Sequence, residues 1–420
     1  MTATLDPVAT GGLLAAGAPD LAGHRRRHGP LGPLRPDVLR TELRRSGLTG
    51  RGGAGFPLWR KLDALAARPG GVVVANAAEG EPASAKDRTL LHAAPHLVLD
   101  GLQIAAAAAR ATSAVVYVTA EAVDLVRAAG AARFHDDPVP VRVVDAPDGF
   151  LSGEETAAVN AIDGRPGLPG DKARRVVEVG VGGRPTAVAN IETLAHAALV
   201  GRYGADAFRA AGTPDEPGTM LVTATVEGRQ LVREVPLGVP LPVALGADVT
   251  GPVLVGGFHG AWLAGPEAAG ARLSRAGLAP YGATPGAGVL IALAPGACGL
   301  AETAHIVGYL SGASARQCGP CRNGLPVMAA TLHRLAAGER DASLPGEVRR
   351  LGALVTGRGA CHHPDGTARL AASALRVFAD DVEAHLSGHC RAGGGRRPGG
   401  ARERDDGAPS EAPTSIGGTP

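Results

Sequence analysis

Three short runs rich in β-branched residues, 71–76 (GVVVAN), 114–119 (AVVYVT) and 141–146 (VRVVDA), are separated by stretches of helical spacing at about 90–110 and from about 121 onward. Strands that alternate with helices imply βαβ units and a parallel sheet, so this stretch predicts an α/β fold. A helical segment at about 186–201 is expected to close the unit. Upstream, 36–46 has the spacing of an amphipathic helix, and the Gly/Pro/Arg-rich residues 1–35 read as an extended arm. From about 217 to 290 the chain changes to short β-rich runs with many turns (TMLVTATVEG, QLVREVPL, GPVLVGGF), which predict a small β or α+β module. After Cys298 the spacing is helical again (LPVMAATLHRL, LAASALRVFADDVEAHL) and fits a small helical bundle. Residues 391–420 hold Ile416 as their one large aliphatic and read as a disordered tail. The expected organisation is an arm over 1–35, an α/β domain over 36–215, a small module over 216–294, a helical bundle over 295–390 and a tail over 391–420.

Charge and cysteine usage narrow the function. With 42 Lys+Arg against 40 Asp+Glu the net charge is +2, which gives no footprint for nucleic acid. No stretch is long and apolar enough to span a membrane, and the N-terminus carries Asp6 and no basic leader, so a cytoplasmic protein is expected. Five cysteines are too few and too odd for a disulfide scaffold, and three of them lie between Cys318 and Cys361, which points to metal or redox chemistry. The chain uses Arg nearly everywhere: its three lysines are Lys61, Lys86 and Lys172, and its four asparagines are Asn76, Asn160, Asn190 and Asn323. A Lys or Asn that survives such a bias marks a position where that side chain is needed.

Four segments carry candidate chemistry. Gly50–Pro57 (GRGGAGFP) matches the letters of a dinucleotide loop, but a helix rather than a strand precedes it, so the standard fingerprint fails its context test. Bare glycines still let backbone approach a phosphate or a flat ring, and an ordinary glycine turn is the alternative. Asn76–Pro82 (NAAEGEP) with Lys86-Asp87-Arg88 stands where the first strand ends, the usual ligand end of a parallel sheet. Gly153-Glu154-Glu155-Thr156 and Ala189-Asn190-Ile191-Glu192-Thr193 supply carboxylates and amides for hydroxyls or ring heteroatoms, or serve as helix caps. Cys318-Gly319-Pro320-Cys321 with Cys361-His362-His363 reads as a redox dithiol, a Cys₃His zinc site or an iron–sulfur ligand set lacking a fourth thiolate. His362 and His363 are read as surface residues, Cys298 as a buried small hydrophobe and Cys390 as a thiol near the tail.

In this order, GRGGAGFP, NAAEGEP with KDR, SGEET, PTAVANIET and CGPCRNG resemble the family of the flavin-containing 51 kDa (F) subunit of respiratory complex I, with a divergent pattern, over about residues 40–386. The resemblance implies a Rossmann-like FMN-binding domain, a ubiquitin-like SLBB module and a helical bundle that holds a 4Fe-4S cluster. It implies hydride transfer from NADH or NADPH to FMN, with single electrons leaving through the cluster to a ferredoxin-like or thioredoxin-fold iron–sulfur subunit or a quinone reductase assembly. Carried over by motif, Gly52, Gly53, Gly55 and Phe56 face nucleotide and flavin, and Lys61 lies beside the flavin. Asn76, Glu79, Gly153, Glu154, Glu155 and Asn190 contact FMN, Glu81 and Lys172 lie by the nicotinamide nucleotide, and Lys61 and Glu81 are the catalytic candidates. Cys318, Cys321 and Cys361 ligate the cluster. The chain departs from the family at Ala78, where relatives carry an acid, at Ala189, in place of one asparagine, and at Ala315, in place of the first cluster cysteine. Ala64 and Arg175 replace aromatics that stack on adenine, so the choice between NADH and NADPH stays open. The rival reading is a degenerate scaffold that keeps the fold without flavin. Peripheral attachment to a membrane complex is compatible with the expected cytoplasmic location.

Overall fold

The computed structural model describes residues 12–14, 19–171 and 173–392. The first sheet is parallel throughout, in the order β3-β2-β1-β4, with β1 Val72–Ala77, β2 Ser113–Thr119, β3 Val141–Ala146 and β4 Thr186–Asn190. In β1 the residues Val72 to Ala75 are buried on both faces, as helices on either side of a parallel sheet require. The expected three strands are present. The segment expected as helix at 186–201 is β4 followed by α8, Ile191–Tyr203, because Thr186 and Val188 pair along β1 while Asn190 ends the strand and caps the helix.

Helix α1 spans Leu21–His28 and α2 spans Pro36–Ser46. The N-terminal segment is therefore not extended throughout: Asp20 caps α1, and His24 reaches 2.9 Å to the buried Asp100. In α2, Pro36 opens the first turn, Leu39 and Leu43 face the core, and Gly47 at φ 67° closes the helix in the left-handed conformation. Then come α3 Leu58–Ala66, α4 Lys86–Ala93, α5 Pro95–Ala108, α6 Ala120–Ala131 and α7 Glu155–Ile162. Helices α5 and α8 cross with backbones nearly touching: a Cβ on Gly101 would lie 1.8 Å from the Leu194 carbonyl oxygen. That close crossing holds the start of α8, and so Asn190, against the sheet.

Residues 219–292 form a mixed five-stranded sheet ordered β6-β5-β9-β7-β8, from β5 Thr219–Val226, β6 Arg229–Pro236, β7 Val253–Val255, β8 Ala261–Leu263 and β9 Val289–Ala292. Beyond it, helices Gly299–Gly312, Leu325–Ala336, Leu344–Val355, His363–Val377 and Ala379–Leu386 share one core with Trp262 and Phe378. A π-helical turn, Pro320–Gly324, places Cys321 at the entry to the Leu325–Ala336 helix. Residues 1–11, 15–18, Lys172 and 393–420 lie outside the described residues, which takes in most of the expected tail. Among the described residues no helix is long and apolar enough to cross a membrane.

Candidate functional site

The glycine loop is fixed at its root and bare at its tip. Thr49 bridges Pro57, and the Gly50 amide donates to the Phe56 carbonyl at 2.9 Å, closing the loop on itself. Gly53 (φ 109°) and Gly55 (φ 64°) take conformations that L side chains rarely adopt. A Cβ on Gly55 would collide with the Arg275 guanidinium, whose Nη2 donates to the Gly53 carbonyl at 2.8 Å. Below the tip, Arg51 is buried and donates to the Thr49, Pro217 and Thr219 carbonyls at 3.0–3.2 Å. Phe56 is 45% exposed at the far end. The loop follows α2 and opens α3, so the departure from a dinucleotide fingerprint expected from the sequence holds.

The loop lies over the carboxyl ends of β1 and β4: a Cβ on Gly52 would come within 3.2 Å of Asn190 Cβ. Around it the site residues are already engaged. Lys61 on α3 donates to Glu155 Oε1 and to the Val188 carbonyl, both at 3.0 Å. Asn76 Nδ2 donates to the Gly153 carbonyl at 2.8 Å, tying the end of β1 to the loop before α7, where a Cβ on Gly153 would sit 2.6 Å from the Ala78 carbonyl. Glu79 accepts from the Asp87 and Arg88 amides at the start of α4 and from Ser84 Oγ at 2.5 Å. Glu154 caps α7 through the Thr156 and Ala157 amides. Caps of this kind fix where the helix N-termini point, and several amide ends converge on one surface.

Two groups in this surface, Lys86 and Arg51, lie in the candidate segments but were given no role of their own from the sequence. Lys86 is 2% exposed, and its Nζ lies 2.6 Å from Asp87 Oδ1, 3.0 Å from Glu192 Oε2 and 3.2 Å from Asn190 Oδ1. Desolvation opposes its charge, but Asp87 and Glu192 more than offset that and hold the ammonium above its ordinary value. Asp87 in turn accepts from Asn190 Nδ2 at 2.7 Å, so this ionic cluster orients the Asn190 amide. The rarity of lysine in the chain was the available signal. Arg51 had none, because arginine is everywhere.

Glu81 stands apart, half-buried against the second sheet, with Oε2 accepting from the Phe258 amide at 3.0 Å. Burial raises its carboxyl to about 7, while the Phe258 and Ala83 amides pull the other way. From here a packed aromatic seam runs toward the cysteines. Phe150 meets His259 at 4.7 Å, His363 at 5.5 Å and Tyr309 at 6.1 Å between ring centres.

Cys318, half-buried, and Cys321 and Cys361, both buried, lie in one pocket. Burial works against the Cys318 thiolate, yet the Cys321 and Ala360 amides that donate to its sulfur carry it below the ordinary thiol value. Cys321 is pushed up to about 12, first by burial and then by the Cys318 and Cys361 sulfurs, while the Arg316 amide opposes. Three cysteine sulfurs close enough for Cys318 and Cys361 both to act on Cys321 suit a bound cation, and the neighbouring Ala315 adds no donor. The two histidines behave differently from the surface pair expected. His362 is exposed and faces Asp365 at 3.1 Å, as expected, but His363 is 2% exposed. Its Nε2 donates to the Leu310 carbonyl at 2.8 Å and its Nδ1 meets His259 Nε2 at 3.0 Å, so neither nitrogen faces the cysteines with a spare lone pair. Lys172 lies outside the described residues.

A parallel α/β unit with a bare glycine loop over its strand ends, together with three cysteines gathered at the helical bundle, has the features of a nucleotide- and metal-binding redox protein. Comparison with known proteins gives the family. The Nuo51 FMN-binding domain matches residues 43–205, and the iron–sulfur binding region of NADH-ubiquinone oxidoreductase-F matches residues 301–385. The F subunit of the Mycobacterium tuberculosis NADH-quinone oxidoreductase is 30% identical over 383 residues, 84% of this chain and 85% of that one. Its Streptomyces coelicolor counterpart is 29% identical over 382 residues, 84% of each chain. A chain of the NAD+-reducing [NiFe]-hydrogenase, crystallised in the H2-reduced state, superposes with a TM-score of 0.78 at 28% identity, covering 85% of this chain and 64% of that one. This chain belongs to the family of NADH-quinone oxidoreductase F subunits, and its two matched regions are those for FMN and for a 4Fe-4S cluster.

Proposed function

We propose that this chain is the electron-input subunit of a larger assembly, taking hydride from NADH or NADPH. When bound, FMN supplies the conversion of a two-electron hydride into single electrons, and the cluster supplies their exit. The observation that carries this reading is the convergence of the Gly50–Phe56 loop, Lys61, Glu155 and Asn190 over the ends of β1 and β4. Gly52, Gly53 and Gly55 leave backbone bare for a flat ring and a phosphate, and Phe56 offers an exposed face beside them. Lys61, between Glu155 and the Val188 carbonyl, holds a positive charge at the flavin edge; Asn76, Glu79, Gly153, Glu154 and Asn190 shape the floor. Glu81, raised toward neutrality, and Lys172 are assigned to the nicotinamide nucleotide, with Lys61 and Glu81 as the catalytic pair. Cys318, Cys321 and Cys361 would hold the cluster, and because Ala315 cannot serve, its fourth ligand would be a neighbouring histidine, water or a thiolate from a partner.

The mixed sheet at 219–292 is assigned as the SLBB module and the following helices as the cluster-bearing bundle, within the boundaries 36–215, 216–294 and 295–390. The acceptor is a ferredoxin-like or thioredoxin-fold iron–sulfur subunit, or a quinone reductase assembly to which the chain attaches peripherally. The test is the absorption spectrum of anaerobically reconstituted protein, before and after NADH and then NADPH. Flavin bands that bleach with one nucleotide support the reading and choose the donor. Failure to take up FMN removes it and favours a scaffold. Cys321→Ala is expected to lose iron and sulfide together; unchanged iron content refutes the cluster assignment.

A further inference from the structure

Outside this site, three metal-ligating side chains meet at the far end of the C-terminal helices. Cys298 Sγ lies 3.5 Å from His385 Nε2, and the ligand atoms of Cys298, His385 and Cys390 all lie within 4.8 Å of one another. We propose that they form a mononuclear zinc site, separate from the cluster cysteines, that clips the Ala379–Leu386 helix and the turn after it to the start of the Gly299–Gly312 helix.

The histidine is already set up as a ligand. His385 is 2% exposed, and its Nδ1 lies 3.1 Å from the Leu335 carbonyl, which can only accept a hydrogen bond. The proton is therefore on Nδ1, and Nε2 turns a lone pair toward Cys298. A carbonyl behind the far nitrogen is the usual support of a metal-bound imidazole. Cys298 packs half-buried at the edge of the helical core, near the filler role expected, and it also stands at the N-cap with Sγ accepting from the Ala301 amide at 3.5 Å. Cys390 is exposed and follows the left-handed turn at Gly388 (φ 82°).

The spacing selects the kind of metal. With Zn–S about 2.3 Å and Zn–N about 2.0–2.1 Å, tetrahedral angles place sulfur and nitrogen about 3.5 Å apart. That is the Cys298–His385 separation. In an iron–sulfur cluster, irons and sulfides stand between the ligand sulfurs, so donors this close suit one ion. Two thiolates and an imidazole favour zinc over the hard cations, and the exposure of Cys390 leaves the fourth position to water. Binding balances simply: each cysteine releases one proton as its Zn–S bond forms, with no change of oxidation state.

The full chain, purified anaerobically, is to be titrated with Zn²⁺ and separately with Co²⁺, with zinc and iron measured after gel filtration. The expected result is about one retained zinc per chain and a thiolate-to-cobalt charge-transfer band. Cys390→Ser, an exposed change that leaves the helical core intact, is expected to weaken zinc binding by more than about tenfold with iron unchanged. Cys318→Ser is expected to do the reverse. The proposal is overturned if wild-type protein retains no zinc, if Cys390→Ser binds as wild type, if Cys390→Ser loses iron, or if non-reducing mass spectrometry finds Cys298 and Cys390 joined as a disulfide.

Discussion

Replacing Lys86 with Met removes the ammonium that sits between the buried Asp87 and Glu192 carboxylates. The Lys86, Asp87 and Glu192 side chains are 2%, 6% and 0% exposed, with contacts of 2.6 and 3.0 Å, so water cannot take over the lost ammonium. Breaking a buried pair in this way costs about 3–5 kcal/mol, because the partner charges stay behind uncompensated. Local opening of the unit then becomes roughly 10²- to 10⁴-fold more frequent, which hydrogen exchange of the α8 amides reads directly. The sign of the pH dependence is fixed as well. Burial already raises Asp87 to about 6 and Lys86 opposes that rise, so in the variant the folded state holds Asp87 protonated while the unfolded chain ionises near pH 4; the folded state binds more protons and loses stability as pH rises. The deficit is expected to be larger at pH 8 than at pH 5.5. The triple variant Lys86→Met, Asp87→Asn, Glu192→Gln removes the stranded charges, keeps an acceptor for the Leu221 amide that Glu192 Oε1 binds at 2.8 Å, and is expected to recover most of the loss. A Lys86→Met protein whose α8 amides exchange at the wild-type rate at pH 8 refutes the reasoning. An equal deficit at both pH values would assign the loss to packing instead of charge.

Two further outcomes follow from buried contacts. Gly101→Ala sets a methyl 1.8 Å from the Leu194 carbonyl oxygen, so α5 and α8 must separate; a loss of about 1–3 kcal/mol in urea unfolding is expected, and an unchanged midpoint would show that the crossing is looser than described. Acid should destabilise the protein well above the carboxylate range. Burial, aided by Arg133, lowers His96 to about 4, and burial, aided by His363 and Arg369, lowers His259 to about 3, against about 6.5 in an unfolded chain. Both folded values are depressed, so their contribution is complete above pH 6.5 and is lost as pH falls toward 4 and then 3, at up to about 1.4 kcal/mol per pH unit for each. Glu81, raised to about 7, works the other way over this range, so the check is a difference: His259→Asn is expected to flatten the pH dependence of the thermal midpoint between pH 7.5 and 5, and an unchanged slope contradicts this.

The parts of the fold that were legible in the sequence are those where one signal acts alone. The β-branched runs of β1, β2 and β3 could pack only as buried strands, and Pro36, Leu39, Leu43 and Gly47 carry the start, face and stop of α2 within a few turns. β4 was hidden because TAVAN is short and alanine-rich, and it becomes a strand through pairing with β1, a long-range partner. Helix α1 was hidden because LAGHRRRH has no apolar stripe; its hold is the distant Asp100, itself bound to Arg133 at 2.7 Å and to Arg202 Nε at 2.9 Å. At the site, residue types were readable but their employment was not. Glu79 and Glu154, which the motif assigns to flavin contacts, spend their oxygens on helix amides. Whether a histidine is a ligand or a brace depends on what lies behind each ring nitrogen, which separates His385 from His363 and has no signature along the chain.

The Arg51 guanidinium makes the glycine loop part of two bodies at once. Its three carbonyl partners come from Thr49 at the loop's own root and from Pro217 and Thr219, where the chain enters the second sheet. The bare tip is thus mounted on a rivet that crosses between the sheets, and Arg275 grips the tip from the same side through the Gly53 carbonyl. The loop and the start of the second sheet therefore share one anchorage, and the position of the bare tip is set by β5 as much as by the parallel sheet beneath it.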